Sequence, residues 1–158
     1  MRRSSLLTVL LLCAAVVAAQ TGPLLELDSF PQTTVTVHAR RGAQVFRVWV
    51  ARSPQQQAQG LMFVRSLASD RGMLFVHDRP RVAGMWMKNT FIPLDMLFID
   101  ARGRIVTIHA ETTPHSLDTL SSRVPVIAVI ELKGGEAARR GIRVGDRVEF
   151  RLPPEKPH

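Results

Sequence analysis

The sequence predicts a mainly β domain, either a single sandwich or a partly open barrel, with two short helices. Short segments rich in β-branched residues recur along the chain between glycine-, proline- and aspartate-containing turns. Helix-start signals, by contrast, occur at only two places. The composition is 46% apolar and 22% charged, which excludes a disordered chain and a polytopic membrane protein. Together these features favour a small β fold.

The strand-like segments are bounded by turn residues and contain alternating or continuous apolar residues. The run 126–132 is almost continuously apolar, so we expect both of its faces to be buried. Gly103 closes a tight hairpin at 100–103 because glycine readily adopts a positive φ. The predicted strands are residues 33–38, 44–51, 73–77, 82–87, 94–100, 104–111, 126–132 and 147–152. Residues 112–123 are predicted to form a polar loop.

The first predicted helix begins at Ser53 and ends at Gly60. Ser53 is suited to the N-cap, Pro54 to the first helical position and Gln56 to the third position of a capping box. Gly60 provides the stop.

The second helix follows the glycine pair 134–135. Glu136 lies in its first turn and Arg139 and Arg140 in its last, which complements the helix dipole. Gly141 ends this helix, and Gly145-Asp146 turns the chain into the last strand.

The N-terminus predicts export. Residues 1–19 form a signal peptide with Arg2-Arg3, an apolar run at 6–17 and small residues at the cleavage site. Residues 20–31 are a predicted tether, 32–152 a single β domain and 153–158 a loose tail. The apolar run is shorter than the ~20 residues of a membrane span, so we expect a periplasmic or secreted protein without a stable anchor. The single cysteine, Cys13, would leave with the signal peptide.

The charge balance argues against a nucleic-acid partner. The formal charge is +8, but the basic residues are scattered along the chain. Aromatic residues make up only 6% and tyrosine is absent, so a stacking platform for single-stranded nucleic acid is not expected.

Residues 85–95 hold the densest set of polar groups in otherwise apolar sequence. Lys88, Asn89, Thr90 and Asp95 place a cation, an amide, a hydroxyl and a carboxylate within eleven residues. Asp95 lies in an apolar run and should be buried, so it needs a cation or several hydrogen-bond donors. Lys88 and Arg65 are the candidate cations.

A further set of joined motifs comprises Gly60-Leu61-Met62, residues 71–75, residues 86–90, residues 92–95, residues 98–100, residues 129–132, Gly134 and Gly145-Asp146. In these motifs the chain resembles the domain of unknown function 192 family. The likeness spans roughly residues 35–151 and implies a small, mainly β domain of jelly-roll-like character, often exported. The family has no established activity, so the resemblance implies no reaction.

The leading hypothesis is a non-catalytic ligand-binding or envelope-accessory module that needs no cofactor. Its ligand would be a small molecule, a polysaccharide or an envelope protein, a class suggested by fold analogy. Asp95 and Lys88 would fix polar groups of the ligand, and Trp86 would supply an apolar face. The predicted binding residues are Arg65, Trp86, Lys88, Asn89, Thr90, Asp95 and Glu131.

Two alternatives remain open at this point. A hydrolase could use Asp95 and Glu131, which would have to converge in a cleft, about 5–10 Å apart for glycoside chemistry. A Cu(I)-handling protein could use Met85 and Met87, since thioethers prefer soft metals. Core packing is the simpler interpretation of these methionines.

Overall fold

The computed structural model describes residues 23–154. The predicted signal peptide, the start of the tether and the tail residues 155–158 lie outside the described residues. Neither described α-helix has the length or hydropathy needed to cross a bilayer. The strands are β1 (Gln32–Ala39), β2 (Gly42–Ala51), β3 (Arg71–Met85), β4 (Leu94–Ile99), β5 (Ile105–His109), β6 (Leu120–Lys133) and β7 (Arg147–Phe150). The α-helices are α1 (Pro54–Gln59) and α2 (Glu136–Arg140), and a 3-10 turn covers Leu27–Ser29.

The seven strands form one curled sheet in the order β5-β4-β6-β3-β2-β1-β7. All neighbours are antiparallel except β2 and β3, which α1 connects in parallel. The two edges of the sheet approach each other, because the amide of Val148 donates to Gly103 O at 2.7 Å and that of Ile105 to Asp146 O at 3.0 Å. The predicted partly open barrel is therefore confirmed.

Two hydrophobic clusters cover the opposite faces of the sheet. The inner cluster fills the barrel, with Phe46, Leu97 and Ile130 among its fully buried side chains. The outer cluster, which includes Met73 and Phe98, lies between the β3-β6-β4 surface and the segments that follow α1 and β3. β6 contributes to both clusters, as its continuous apolar run predicts.

Strand β3 corrects the sequence-based prediction of two separate strands. One fifteen-residue strand runs from Arg71 to Met85, with a shift in its pairing to β6 between Val76 and Arg81. The charged residues and Pro80 in this stretch are typical of a loop, yet a bulge accommodates them within the strand. Strand β6 also begins earlier than expected, at Leu120, inside the predicted loop.

Both helices have the predicted terminal residues. Ser53 and Gln56 form the capping box at α1, and Gly141 closes α2 with φ 70°. The described part of the predicted tether packs against α1, because the backbone of Leu25 exchanges two hydrogen bonds with the side chain of Gln59 at 2.6 and 2.7 Å. Through these bonds the N-terminal segment helps to position α1 beside the outer face of the sheet.

Candidate functional site

Glu131 is a buried carboxyl on the outer face of β6. Its partners in the neighbouring strands are Met73 on β3 and Met96 on β4, both fully buried. Glu131 is only 4% exposed, and its Oε2 has no hydrogen-bond partner among residues 23–154. Burial raises the pKa of the Glu131 carboxyl to about 8. The side chain is therefore predominantly protonated at pH 7 and offers both a donor and an acceptor.

A pocket of about 90 Å³ opens over this carboxyl. The C-terminal end of α1 and the residues after it form one wall. The segment that continues from β3 forms the other. The lining residues are Gln57, Ala58, Gln59, Gly60, Leu61, Met62, Phe75, Gly84, Met85, Trp86, Lys88, Thr90 and Glu131.

Gly60 and Phe75 shape the apolar side of the pocket. Gly60 has φ 51°, and a Cβ there would lie 3.1 Å from the Phe75 ring. The glycine therefore allows the chain leaving α1 to pass close to β3. Without this close approach, α1 could not form a wall of the pocket.

Trp86 and Lys88 form the polar and aromatic side of the mouth. Trp86 is 49% exposed, and the Lys88 Nζ lies 5.2 Å from the centre of its ring. This is a cation–π distance, so the two side chains support each other at the surface. The mouth thus combines a flat apolar face with an exposed, charged hydrogen-bond donor.

Contacts that Asn89 makes with Met62 and Phe63 join the two walls of the pocket. Phe63 and Asn89 are not glycines, yet they have φ of 65° and 54°. The amide of Phe63 donates to Asn89 O at 2.8 Å, and Asn89 Nδ2 lies 3.9 Å from the sulfur of Met62. Positive φ in such residues persists only where the surrounding structure holds it, and it is enriched at functional sites.

Asp95 lies apart from this pocket and anchors the start of α2. Its Oδ1 accepts the amides of Glu111 at 2.8 Å and Gly135 at 3.0 Å, and its Oδ2 accepts that of Ala137 at 2.8 Å. The side chain is fully buried. The expected need for donors is met by these three backbone groups.

The structure brings together four of the predicted binding residues: Trp86, Lys88, Thr90 and Glu131 all line the pocket. Asn89 lies between two of them in the chain and joins the walls. Arg65 lies elsewhere, with its guanidinium carbon 5.1 Å from the centre of the Phe91 ring.

The hydrolase hypothesis is wrong for the pair Asp95 and Glu131. Asp95 is the partner of Leu132 in the β4–β6 ladder, and Glu131 is the next residue along β6. Because successive side chains of a strand point to opposite faces, the two carboxyls lie on opposite sides of the sheet. They cannot attack and protonate the same bond.

The copper hypothesis is also wrong for the pair Met85 and Met87. Met87 is fully buried, and its sulfur accepts a hydrogen bond from Thr112 Oγ1 at 3.1 Å. Met85 ends β3 and is half-buried in the pocket wall. Within residues 23–154, His, Asp and Glu side chains form no group of three that could hold a metal ion.

Sequence reasoning missed the wall contributed by α1. Gln57, Gly60 and Met62 line the pocket, but they lie 26 or more positions from Lys88 in the chain. The sequence assigns Gly60 to the helix stop and to a family motif, but not to a pocket wall. The signal available in the sequence is a glycine at the helix end followed by the apolar residues Leu61 and Met62, since glycine permits a close backbone approach.

Solved structures with the same fold include the following two relatives. A protein from Sinorhizobium meliloti 1021, described as a candidate transcription regulator, is 44% identical with a TM-score of 0.75. The match covers 77% of this chain and 95% of that one. A protein of unknown function from Novosphingobium aromaticivorans DSM 12444 is 40% identical with a TM-score of 0.75, covering 82% of this chain and 94% of the other.

No curated protein matches the chain. The family model of the domain of unknown function 192, DUF192, described as an uncharacterised ACR, matches residues 35–150. This match includes β2 to β7, most of β1 and the whole of the pocket. The chain therefore belongs to the DUF192 family.

Proposed function

We propose that the protein is a non-catalytic binding module, and that Glu131 is the group that recognises its ligand. The observation that carries this proposal is a buried carboxyl with one unpartnered oxygen beneath an open pocket. Leaving such an oxygen without a hydrogen bond costs about 1–3 kcal/mol. A ligand that forms a hydrogen bond with the Glu131 carboxyl from the pocket therefore gains binding energy from a group already held in place.

The chemistry of the pocket favours a ligand with an uncharged group that can both donate and accept hydrogen bonds. A protonated carboxyl pairs well with an amide or a hydroxyl, because each partner has a donor and an acceptor. Lys88 beside the same pocket disfavours a cationic ligand. The exposed face of Trp86 would contact the rest of the ligand, so a peptide or a carbohydrate fits best.

We also propose, from the predicted signal peptide, that the protein is exported. A charged start, a short apolar run and small residues before Gln20 support export to the periplasm or the outside of the cell. N-terminal sequencing of the protein recovered from the cell envelope tests this, with Gln20 expected as the first residue. A retained Met1 would contradict export.

Thermal unfolding with a panel of N-acetylated sugars and neutral tripeptides tests the binding proposal. A ligand at ~100 times its dissociation constant should stabilise the protein by about 2.7 kcal/mol. We expect at least one compound to raise the melting temperature of the wild type and to have no effect on Glu131→Leu. Glu149→Leu, which removes an exposed carboxylate on β7, is the matched control and should respond like the wild type.

An equal shift in the wild type and in folded Glu131→Leu would place the ligand elsewhere. The absence of any shift across the panel would contradict the proposed ligand class.

A further inference from the structure

The pocket above Glu131 is too small to enclose a whole sugar or amino-acid residue. In proteins, a cavity of about 150 Å³ lined by apolar side chains binds benzene. The pocket has roughly three-fifths of that volume, so it accommodates a group of about four non-hydrogen atoms. It therefore takes one functional group of the ligand, and the rest of the ligand lies at the mouth.

The Glu131 carboxyl determines the polarity of the group that enters. Its Oε2 is sealed from solvent, so the pocket meets the carboxyl at Oε1. Neither oxygen has a hydrogen bond to the residues that the structure describes. Because burial raises the pKa of Glu131 to about 8, Oε1 can donate a proton in a hydrogen bond at neutral pH. The inserted group should therefore contain an uncharged acceptor, such as a carbonyl oxygen.

The rest of the pocket wall includes a large apolar part. A group that ends in a methyl matches this surface, whereas a group that ends in an NH₂ would place two donors against it. An acetamido group has the required size, a carbonyl oxygen and a terminal methyl. The side-chain carboxamide of asparagine has a similar size but ends in an NH₂. The apolar side chains of the wall are Leu61, Met62, Phe75 and Met85.

Trp86 indicates what lies outside the pocket. Its ring is 49% exposed at the mouth. A pyranose ring has a face of C–H groups that can pack on an aromatic ring, which offers a large apolar contact area. In an amino sugar the acetamido group is attached directly to the pyranose ring. When that group enters the pocket, the sugar ring is therefore held at the mouth, within reach of Trp86.

We propose that the ligand of this pocket is an N-acetylated amino sugar, whose acetamido group enters the pocket and accepts a hydrogen bond from the Glu131 carboxyl. This ligand class rests on the proposed function and narrows it from a peptide or a carbohydrate to a carbohydrate. The sugar ring packs on Trp86, and Lys88 donates to its oxygen atoms. A peptide that inserts an asparagine side chain is the competing occupant.

Saturation-transfer NMR of the full chain with the N-acetylated hexosamines of gluco, galacto and manno configuration tests the proposal. We expect at least one of them to bind, and its acetyl methyl protons to receive the largest saturation because the pocket encloses them. The parent hexose, which has a hydroxyl in place of the acetamido group, should bind at least about tenfold more weakly. The N-butyryl analogue exceeds the pocket volume and should also bind at least about tenfold more weakly.

Met85→Ala tests whether the acyl group occupies the pocket. Met85 is half-buried in the wall, so its truncation enlarges the pocket. We expect the N-butyryl sugar to bind this variant about tenfold more tightly than the wild type. Val82→Ala, an exposed change on the same strand and outside the lining, is the matched control. It should discriminate between the two sugars like the wild type.

Equal affinity of the wild type for the N-acetyl and N-butyryl sugars would place the acyl group outside the pocket and overturn the proposal. Unchanged sugar binding in folded Glu131→Leu would overturn it as well, and so would a failure of all three N-acetylated hexosamines to bind. In that last case, the tripeptide glycyl-asparaginyl-glycine separates the two proposals. If it binds the wild type but not Glu131→Leu, the binding module stands with a peptide ligand, whereas no binding by either class would contradict both proposals.

Discussion

Glu131 is the residue on which the functional proposal depends. It lies between two buried methionines on neighbouring strands, in surroundings that disfavour the ionised carboxylate. Because the carboxyl remains protonated over a wide pH range, it can act as a neutral hydrogen-bonding group. The same burial has a measurable effect on folding.

The free energy of unfolding should fall as the pH rises from about 4.5 to about 8. In this window the unfolded chain has released the proton of Glu131, whereas the folded protein retains it, because the pKa is raised from 4.5 to about 8. The unfolded state therefore binds fewer protons, and stability declines by up to about 1.4 kcal/mol per pH unit. Above the folded pKa this contribution becomes constant.

Urea unfolding at a series of pH values measures this slope. In Glu131→Gln the amide cannot titrate, so the decline due to this residue should disappear. An unchanged pH profile in folded Glu131→Gln would contradict the assignment.

Asp95 has a structural role that a conservative substitution can expose. Asp95→Asn replaces one accepting oxygen with an amide group that faces a backbone donor. We expect a loss of about 2–4 kcal/mol in the free energy of unfolding, because a buried charge-assisted network loses a partner. Chemical denaturation measures this loss.

If Asp95→Asn remains folded, its ligand response in the thermal panel should equal that of the wild type. A loss of ligand binding without a loss of stability would instead place Asp95 in the binding site.

At the scale of elements, a few hydrogen bonds fix the short helix α1 in its position. Its Ser53 side chain accepts the Gln56 amide at 3.2 Å, and Gln57 Nε2 donates to Val76 O on β3 at 2.7 Å. These bonds hold the helix against the sheet, so that its last residues form a wall of the pocket.

Ser53→Ala should lower the free energy of unfolding by about 1 kcal/mol, the typical cost of losing an N-cap. Gln55→Ala, an exposed change on the same helix, should be nearly neutral. Thermal or urea unfolding of both variants makes the comparison. Equal effects would show that the capping box contributes nothing specific.

The helix ends were predictable from the sequence because their signals are local. Ser53, Gln56 and Gly141 act through hydrogen bonds or backbone conformations within a few residues. The bulge at 77–80 was not predictable, since Pro80 and its charged neighbours are equally typical of a loop. The residues on either side of the bulge, Val76 and Arg81, pair with β6 more than forty positions away, and this pairing keeps the strand continuous.

In the candidate site, too, the sequence predicted only the groupings of residues that are close together in the chain. Trp86, Lys88 and Thr90 were recognised together because they are neighbours in sequence. Asp95 was grouped with them for that reason, although strand alternation and the start of α2 place it on the other face. The opposite orientations of Asp95 and Glu131 depend on the β4–β6 register, which a single sequence does not specify.

At the scale of the whole molecule, β6 is the centre of the fold. It pairs with β3 and β4, and its apolar residues contribute to the clusters on both faces of the sheet. The edge strands β5 and β7, by contrast, meet through only a few backbone hydrogen bonds around residues 103–105 and 145–148. Local stability should therefore decrease from β6 toward this seam.

Native-state hydrogen exchange measures this difference. We expect the amides of β6 that pair with β3 and β4 to exchange most slowly, and those of β7 to exchange much faster. β6 should be better protected from exchange than β7, because β6 pairs with a strand on each side and is buried on both faces. Equal protection across both strands would show that the barrel opens only as a unit.

The most direct test of the functional account is the titration of Glu131 itself. Carbon-13 NMR of the side-chain carboxyl reports its pKa in the folded protein without any assumption about the ligand. We predict a midpoint of about 8, far above the ordinary value of 4.5. A midpoint near 4.5 would show that Glu131 is an ionised carboxylate at neutral pH. This result would contradict the proposal that a protonated, unpaired Glu131 carboxyl binds a neutral group of the ligand.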